Sequence, residues 1–287
     1  MKRILITGAN SYIGTSLESW LKKHPEHYGV DTVDMIDSSL KDKDFSTYDV
    51  VFHVAGIAHV SSDPKLEELY YKVNRDLTIE TAKKAKEEGV KQFIFMSSII
   101  VYGDSGKHRR VIDRNTVPRP SNFYGNSKLQ AEEGIKGLED ESFRIVILRP
   151  PMIYGKGSKG NYPKLSMAAQ KLPLFPDIDN ERSMLHIDNL CEFIRLIIDN
   201  DERGLFFPQN QEYVKTSEMV RVIAEAHGKS IKLTKIFNPI IKMIYGIGIV
   251  NKVFGNLVYE MSMSEYGKGK YRVRGFRESI KLTESNN

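Results

Sequence analysis

Short apolar runs recur through the first half of the chain and alternate with segments of helical period. Arg3 to Thr7, Val30 to Asp34, Val50 to Val54, Phe93 to Ser97 and Ile145 to Leu148 have the length and the aliphatic or aromatic content of strands. Between them, Gly14 to Lys23, Lys72 to Glu88 and Tyr124 to Leu138 read as helices. Strands that alternate with helices predict a parallel sheet covered on both faces, since each crossover helix must lie against the sheet.

The pattern changes after Arg149-Pro150-Pro151. Prolines and glycines break up Pro150 to Pro176, and Thr216 or Ser217 is expected to cap a helix that runs through Glu225 and stops at Gly228. Residues 1–150 are therefore expected to form one α/β domain, and 151–287 a smaller substrate-binding region that returns a strand or two to the main sheet. The stretch Ile236 to Tyr259 is apolar, but Asn238, Pro239, Lys242, Asn251 and Lys252 interrupt it. A spanning helix needs about twenty mostly apolar residues. A pair of amphipathic core helices is expected instead, with loose attachment to a membrane surface as the alternative.

Composition narrows the partners. The 287 residues are 40% hydrophobic and 28% charged, which fits a folded soluble chain and leaves only Thr283 to Asn287 as a candidate for disorder. A net charge of +5 favours anionic partners, and a nucleotide diphosphate serves as well as a nucleic acid. The basic run Lys107-His108-Arg109-Arg110 has no interleaved aromatics and no recognisable motif, so it reads as a solvated loop. Nucleic-acid binding is not expected. The single cysteine, Cys191, excludes an intramolecular disulfide and a cysteine-based zinc site, and no metal is expected. The run Ile4 to Ile6 is too short for a signal-peptide core, so a cytoplasmic setting is expected.

The first strand enters Thr7-Gly8-Ala9-Asn10-Ser11-Tyr12-Ile13-Gly14, a glycine-rich turn that opens a helix. Such a turn lets the backbone approach a pyrophosphate, and the helix N-terminus supplies N–H groups and partial positive charge. This places a Rossmann-type, doubly wound dinucleotide site at Gly8, Asn10, Ser11, Tyr12, Ile13 and Gly14. The second strand ends at Asp34, about twenty residues past the turn, where a carboxylate accepts the ribose hydroxyls and repels a 2′-phosphate. NAD(H) is therefore favoured, with NADP(H) the alternative; Asp37 is a second candidate for the acidic role. A solvated strand-end aspartate is the bland reading.

Tyr124 and Lys128 stand at i and i+4, on one face of a helix. Moving a tyrosine from about 10 to about 7 takes about 4 kcal/mol of phenolate stabilisation. One ammonium at about 4 Å supplies about that much at an effective dielectric of about 20. The pair therefore predicts a proton donor and acceptor usable near neutrality. Ser97-Ser98, at the end of a core strand, offers a hydroxyl for the same substrate oxygen. A surface lysine beside a half-buried tyrosine is the competing structural reading.

The glycine turn, "VFHVAG", "FIFMSSIIVYG", "YGNSK", "LRPPMIYG" and "RSMLHIDNL", in this order and spacing, resemble the extended short-chain dehydrogenase/reductase family over nearly the whole chain. The resemblance implies enzymes that oxidise, reduce, epimerise or dehydrate nucleotide-linked sugars. It implies Tyr124 as the acid/base, Ser98 as the catalytic hydroxyl (four residues before the tyrosine of "VYG"), and Lys128 on the nicotinamide ribose. It likewise implies Ala55 beside the cofactor, and Arg182 and Asn161 on the substrate diphosphate or nucleotide. For Arg182 the bland alternative is a surface salt-bridge arginine. Ser11 stands where the family turn has its middle glycine, a departure that bears on how tightly the turn closes.

Further departures narrow the reaction. Dehydratases of the family carry an Asp-Glu pair after the catalytic hydroxyl, and enzymes that epimerise beside the keto group tend to carry a cysteine there; this chain has Ile99 and Ile100. Met152 replaces an asparagine that contacts substrate in 4-epimerases. The resemblance therefore implies hydride transfer at C4 of a UDP-sugar, with reduction of a UDP-4-keto-6-deoxy-N-acetylhexosamine for surface polysaccharide first and 4-epimerisation second. A non-catalytic redox sensor is a distant alternative that would not need Tyr124 and Lys128. A homodimer is expected through the helices Asn74 to Glu88 and Tyr124 to Leu138.

Overall fold

Five of the apolar runs become neighbouring strands of one sheet in a computed structural model that describes residues 1–35, 42–58, 63–106, 108, 110–245 and 248–285. The candidate Asp37 and two members of the basic run, Lys107 and Arg109, lie outside the described residues. The sheet order is Gly204–Phe206, Arg144–Leu148, Gln92–Met96, Val50–His53, Lys2–Thr7, Tyr28–Val33. Every pairing is parallel. The edge strand Gly204–Phe206 comes from the second half of the chain.

Val50–His53 and Gln92–Met96 are buried at every position, as a strand covered on both faces must be. Leu5, Val51, Phe93, Phe95, Ile145 and Ile147 share one core with Ala82, Ala85, Ala131 and Ile135 of two helices. Ile6 points to the opposite face, where the helix Tyr12–Leu21 crosses so closely that a Cβ on Gly14 would lie 3.3 Å from Ile6 Cγ2. From Lys2–Thr7 the chain first pairs Tyr28–Val33 on one side, then returns to place Val50–His53 on the other. That reversal opens a crevice at the carboxyl ends of the strands, the usual ligand position in such sheets.

The helix expected over Lys72 to Glu88 starts earlier, at Glu67, and Tyr71–Asp76 is wound as a π-helix before Leu77–Glu87 continues it. The wider turn holds Asn74 fully buried.

The chain forms two compact units. Met1–Gly103, Val117–Pro150 and Cys191–Pro208 make the first, with the sheet; Asp104–Thr116, Pro151–Leu190 and Gln209–Asn287 make the second. The second unit pairs Met152–Tyr154 with Met184–His186, Leu174–Pro176 with Lys232–Thr234, and Val111–Ile112 with Val258–Tyr259. Tyr154, Tyr162, Phe175, Met184, Met219, Val220 and Ile223 fill its core.

Two expectations change here. The helix Thr216–Ala226 is not capped by Thr216 or Ser217; its N-cap position is Lys215, which makes no side-chain capping bond. Asn180 supplies the acceptor instead, its Oδ1 taking the Thr216 N–H at 3.1 Å, while Thr216 Oγ1 donates to the Val253 carbonyl at 2.7 Å. The apolar stretch after Ile236 does form two helices, Asn238–Met243 and Gly248–Phe254, but the first is not a core helix. Its short length turns Ile241 inward and leaves Ile240 and Met243 exposed. Among the described residues, no helix is long and apolar enough to cross a membrane.

Candidate active site

The glycine turn is built by backbone conformation. Gly8 has φ +103° and Asn10 φ +65°, in the left-handed region. A Cβ on Gly8 would lie 2.8 Å from the Ala55 amide nitrogen, so only glycine lets the two strand ends meet this closely. Ser11 has φ −74°, which needs no glycine, and its Oγ caps the helix by accepting the Gly14 N–H at 3.1 Å. The departure at Ser11 therefore leaves the turn tight. Tyr12 and Ile13 form the first turn of the helix, whose amides have no intrahelical acceptor. The Gly8 and Ala9 N–H groups donate to the Val33 carbonyl at 2.9 and 3.0 Å, which sets half-buried Asp34 directly beside the turn. A cradle that a Cβ would fill, an adjacent helix N-terminus and a strand-end acid fit an adenine dinucleotide.

Beneath this turn lies a buried imidazole. His53 Nδ1 is 2.7 Å from Thr7 Oγ1 and its Nε2 is 3.0 Å from Thr78 Oγ1. Burial, with the nearby Lys128 charge, pushes its pKa down to about 3, so the ring is neutral and ties two strands to a helix.

The helix Phe123–Lys136 carries Tyr124 and Lys128. Asn122 caps it, Oδ1 accepting the Gly125 N–H at 2.9 Å, and Gly125 packs on the segment after Ser98, where a Cβ would lie 2.7 Å from the Ile100 carbonyl oxygen. That approach brings the Tyr124 hydroxyl close to the Ser98 hydroxyl. Ser98 Oγ also accepts the Ile100 N–H at 3.3 Å, which orients it.

Lys128 lies one turn on, with 5% of its surface exposed. It donates to the Met96 carbonyl at 2.9 Å and stands 4.8 Å from the Phe95 ring centroid. Burial lowers its pKa to about 8, against the opposing pull of Glu132. Opposite, Asn74 Oδ1 accepts the Ile57 N–H at 2.8 Å and Nδ2 donates to the Ile57 carbonyl at 3.1 Å. Gly56 sits between them: a Cβ there would lie 2.9 Å from Asn74 Oδ1 and 3.1 Å from Lys128 Nζ.

The expected lowering of the tyrosine pKa is not what this arrangement produces. Desolvation raises the half-buried Tyr124 to about 12, with the nearby Ser98 hydroxyl pulling the other way, and Lys128 gives its hydrogen bond to a backbone carbonyl rather than to the phenol.

Behind the pair lies a buried ion pair that the motif spacing did not single out. Arg149 Nε is 3.0 Å from Glu132 Oε1, Arg149 Nη1 donates to Tyr102 Oη at 2.7 Å, and Ser97 Oγ donates to Glu132 Oε1. The signal was present in sequence, since Glu132 follows Lys128 by four residues and Tyr124 by eight. His53, Gly56 and Asn74 carried no comparable pattern.

In the second unit, Arg182 and Asn161 line one small cavity with Met152, Leu165, Met184, Thr216, Lys252 and Val253. Arg182 Nη1 donates to the carbonyls of Lys252 and Gly255 at 3.0 and 3.2 Å. Burial lowers its pKa to about 10. Arg182 is thus a half-buried cation held by backbone carbonyls, with no ion pair among the described residues, which corrects the surface salt-bridge alternative. Asn161 opens the helix Asn161–Lys171 straight after Gly160, whose φ is +92°.

Residues 4–207 match the NAD dependent epimerase/dehydratase family. The chain belongs to that family. It is thus an NAD(P)-dependent enzyme of nucleotide-linked sugars, and the glycine turn and Tyr124 lie within the matched residues. A UDP-glucose 4-epimerase of Vibrio cholerae is 31% identical, covering 98% of this chain and 94% of the relative. An N-acetyl-alpha-D-glucosaminyl-diphospho-ditrans,octacis-undecaprenol 4-epimerase of Escherichia coli O157:H7 is 26% identical over 95% of this chain and 85% of its own length. A GDP-6-deoxy-D-mannose reductase of Pseudomonas aeruginosa is 25% identical over 78% and 80%. This epimerase/dehydratase member therefore has both epimerase and reductase kin. Among its described residues there is no cluster of side chains suited to a metal ion.

Proposed function

We propose that the chain reduces the C4 carbonyl of a UDP-linked 4-keto-6-deoxy-N-acetylhexosamine in the synthesis of a surface-polysaccharide precursor. The reading rests on Tyr124 and Ser98, two hydroxyls placed close together, with Ile99 and Ile100 directly after the serine. The dinucleotide, bound at the glycine turn by Gly8, Asn10, Ser11, Tyr12, Ile13, Gly14, Asp34 and Ala55, supplies the hydride chemistry. Tyr124 gives its proton to the C4 oxygen as charge develops there, and the Ser98 hydroxyl donates to the same oxygen. Lys128, anchored on the Met96 carbonyl, is placed to hold the nicotinamide ribose. Arg182 and Asn161 hold the diphosphate, so that binding remote from C4 orients the sugar. Ile99 and Ile100 offer neither carboxylate nor thiol, which removes the acid–base groups for elimination or for epimerisation beside the carbonyl.

A 4-epimerase acting on a UDP-hexose or UDP-N-acetylhexosamine is the second reading. It is favoured by the Vibrio and Escherichia relatives, both 4-epimerases by name and both aligned along nearly the whole chain. One assay separates the two. The protein is mixed with UDP-4-keto-6-deoxy-N-acetylglucosamine and either NADH or NADPH, and the reduced-nicotinamide absorbance is followed. Stoichiometric loss supports the reductase and identifies the cofactor. No loss, with interconversion of UDP-N-acetylglucosamine and its C4 epimer, replaces it by the epimerase.

A further inference from the structure

From Ala226 to Tyr259 the chain carries lysines at 229, 232, 235, 242 and 252 and neither aspartate nor glutamate. Within that stretch the second unit turns large apolar side chains outward. Ile236 is 80% exposed, Ile240 61% and Met243 84%, with Phe237 and Ile244 partly exposed beside them. Local geometry groups these residues. The Asn238 N–H donates to the Lys235 carbonyl at 3.0 Å, so the chain turns at Ile236-Phe237 and enters the helix Asn238–Met243. Ile240, Met243 and Ile244, at i, i+3 and i+4, share one face. Ile241 is buried on the other side, and Asn238 Nδ2 anchors the turn by donating to the Asp177 carbonyl at 2.9 Å. Lys235 and Lys242 are exposed within the same segment.

Single exposed apolar residues are ordinary, but a group of them flanked along the chain by lysines is an interaction surface, and the acids of the loop packed beside it, Asp177 and Asp179, are ion-paired with Lys215. The charge selects the partner. A second copy docking through the same face about a two-fold axis would set these lysines against their own counterparts. A partner that is apolar and anionic at once has no such conflict. An anionic bilayer offers both, with acyl chains for Ile236, Ile240 and Met243 and headgroup phosphates for the ammonium groups. We propose that this face docks the protein onto an anionic phospholipid surface. The segment is an interfacial anchor, and its far end closes on Arg182, whose guanidinium donates to the Lys252 and Gly255 carbonyls. The inference concerns where the enzyme sits and holds whichever C4 reaction it performs.

Co-sedimentation of the whole protein with vesicles tests it without any turnover. Vesicles of phosphatidylcholine alone are compared with vesicles that also contain phosphatidylglycerol. The protein is expected to sediment with the anionic vesicles only, with affinity reduced on the order of tenfold at high salt. Ile240→Asp with Met243→Asp, and separately Lys235→Glu with Lys242→Glu, are expected to abolish sedimentation while thermal unfolding and activity on a soluble nucleotide sugar stay unchanged. Wild-type protein that stays in the supernatant with both vesicle types overturns the proposal. So does binding that both variants retain, or wild-type self-association that Ile240→Asp disperses, which would assign the face to a second copy.

Discussion

Arg149 closes on Glu132 with Nε 3.0 Å from one carboxylate oxygen and 3.2 Å from the other, at a place where both side chains are buried. Ser97 and Tyr102 bond to the same pair from either side of Ser98. The pair therefore fixes the segment that carries Ser98. Removing one partner strands a buried charge, so Glu132→Ala or Arg149→Ala is expected to cost about 3–5 kcal/mol in denaturant unfolding. Replacing both by apolar residues of similar volume is expected to recover most of that loss.

His53 makes stability depend on acid. Its pKa is about 3 in the fold and 6.5 ordinarily, so between those values the unfolded chain binds a proton that the folded chain does not. Its contribution is complete above pH 6.5 and shrinks by roughly 1.4 kcal/mol per pH unit as pH falls through the window. Unfolding of His53→Gln, followed across that range, is expected to show a flatter dependence than wild type.

Gly56→Ala tests the corridor between Asn74 and Lys128. The added Cβ meets both polar atoms at about 3 Å, and overpacking of this kind costs about 1–3 kcal/mol. Denaturant unfolding is expected to show that loss, and the NADH dissociation constant from fluorescence titration is expected to rise. Gly106→Ala, where an added Cβ meets nothing within 4 Å, is expected to leave it unchanged.

Arg182→Met is expected to raise KM for the nucleotide sugar about tenfold to a hundredfold, the worth of a hydrogen bond to a charged group, without altering NADH affinity. Steady-state kinetics with the sugar varied at saturating NADH would show it. An unchanged KM would remove Arg182 from the diphosphate site.

The five strands of the first half were legible because buried parallel strands write themselves as continuous apolar runs, and each found its place to within two residues. Tyr124 and Lys128 were legible because helical spacing alone puts them on one face. What was not legible depends on partners distant in the chain. Asn180 caps a helix that starts 36 residues later, and Glu132 meets Arg149 across 17 residues. Lys128 donates to the Met96 carbonyl, a backbone partner that the spacing of side chains does not reveal. The apolar stretch near Ile240 could not reveal which side chains face outward, because its helix has only six residues.

The most direct test of the central claim compares wild type with Tyr124→Phe in the oxidation of NADH by UDP-4-keto-6-deoxy-N-acetylglucosamine, with NADH binding measured in parallel. Loss of the proton donor is expected to slow turnover about a hundredfold to ten-thousandfold while NADH affinity is retained. A Phe variant that turns over at near the wild-type rate would show that Tyr124 is not the acid, and would contradict the account.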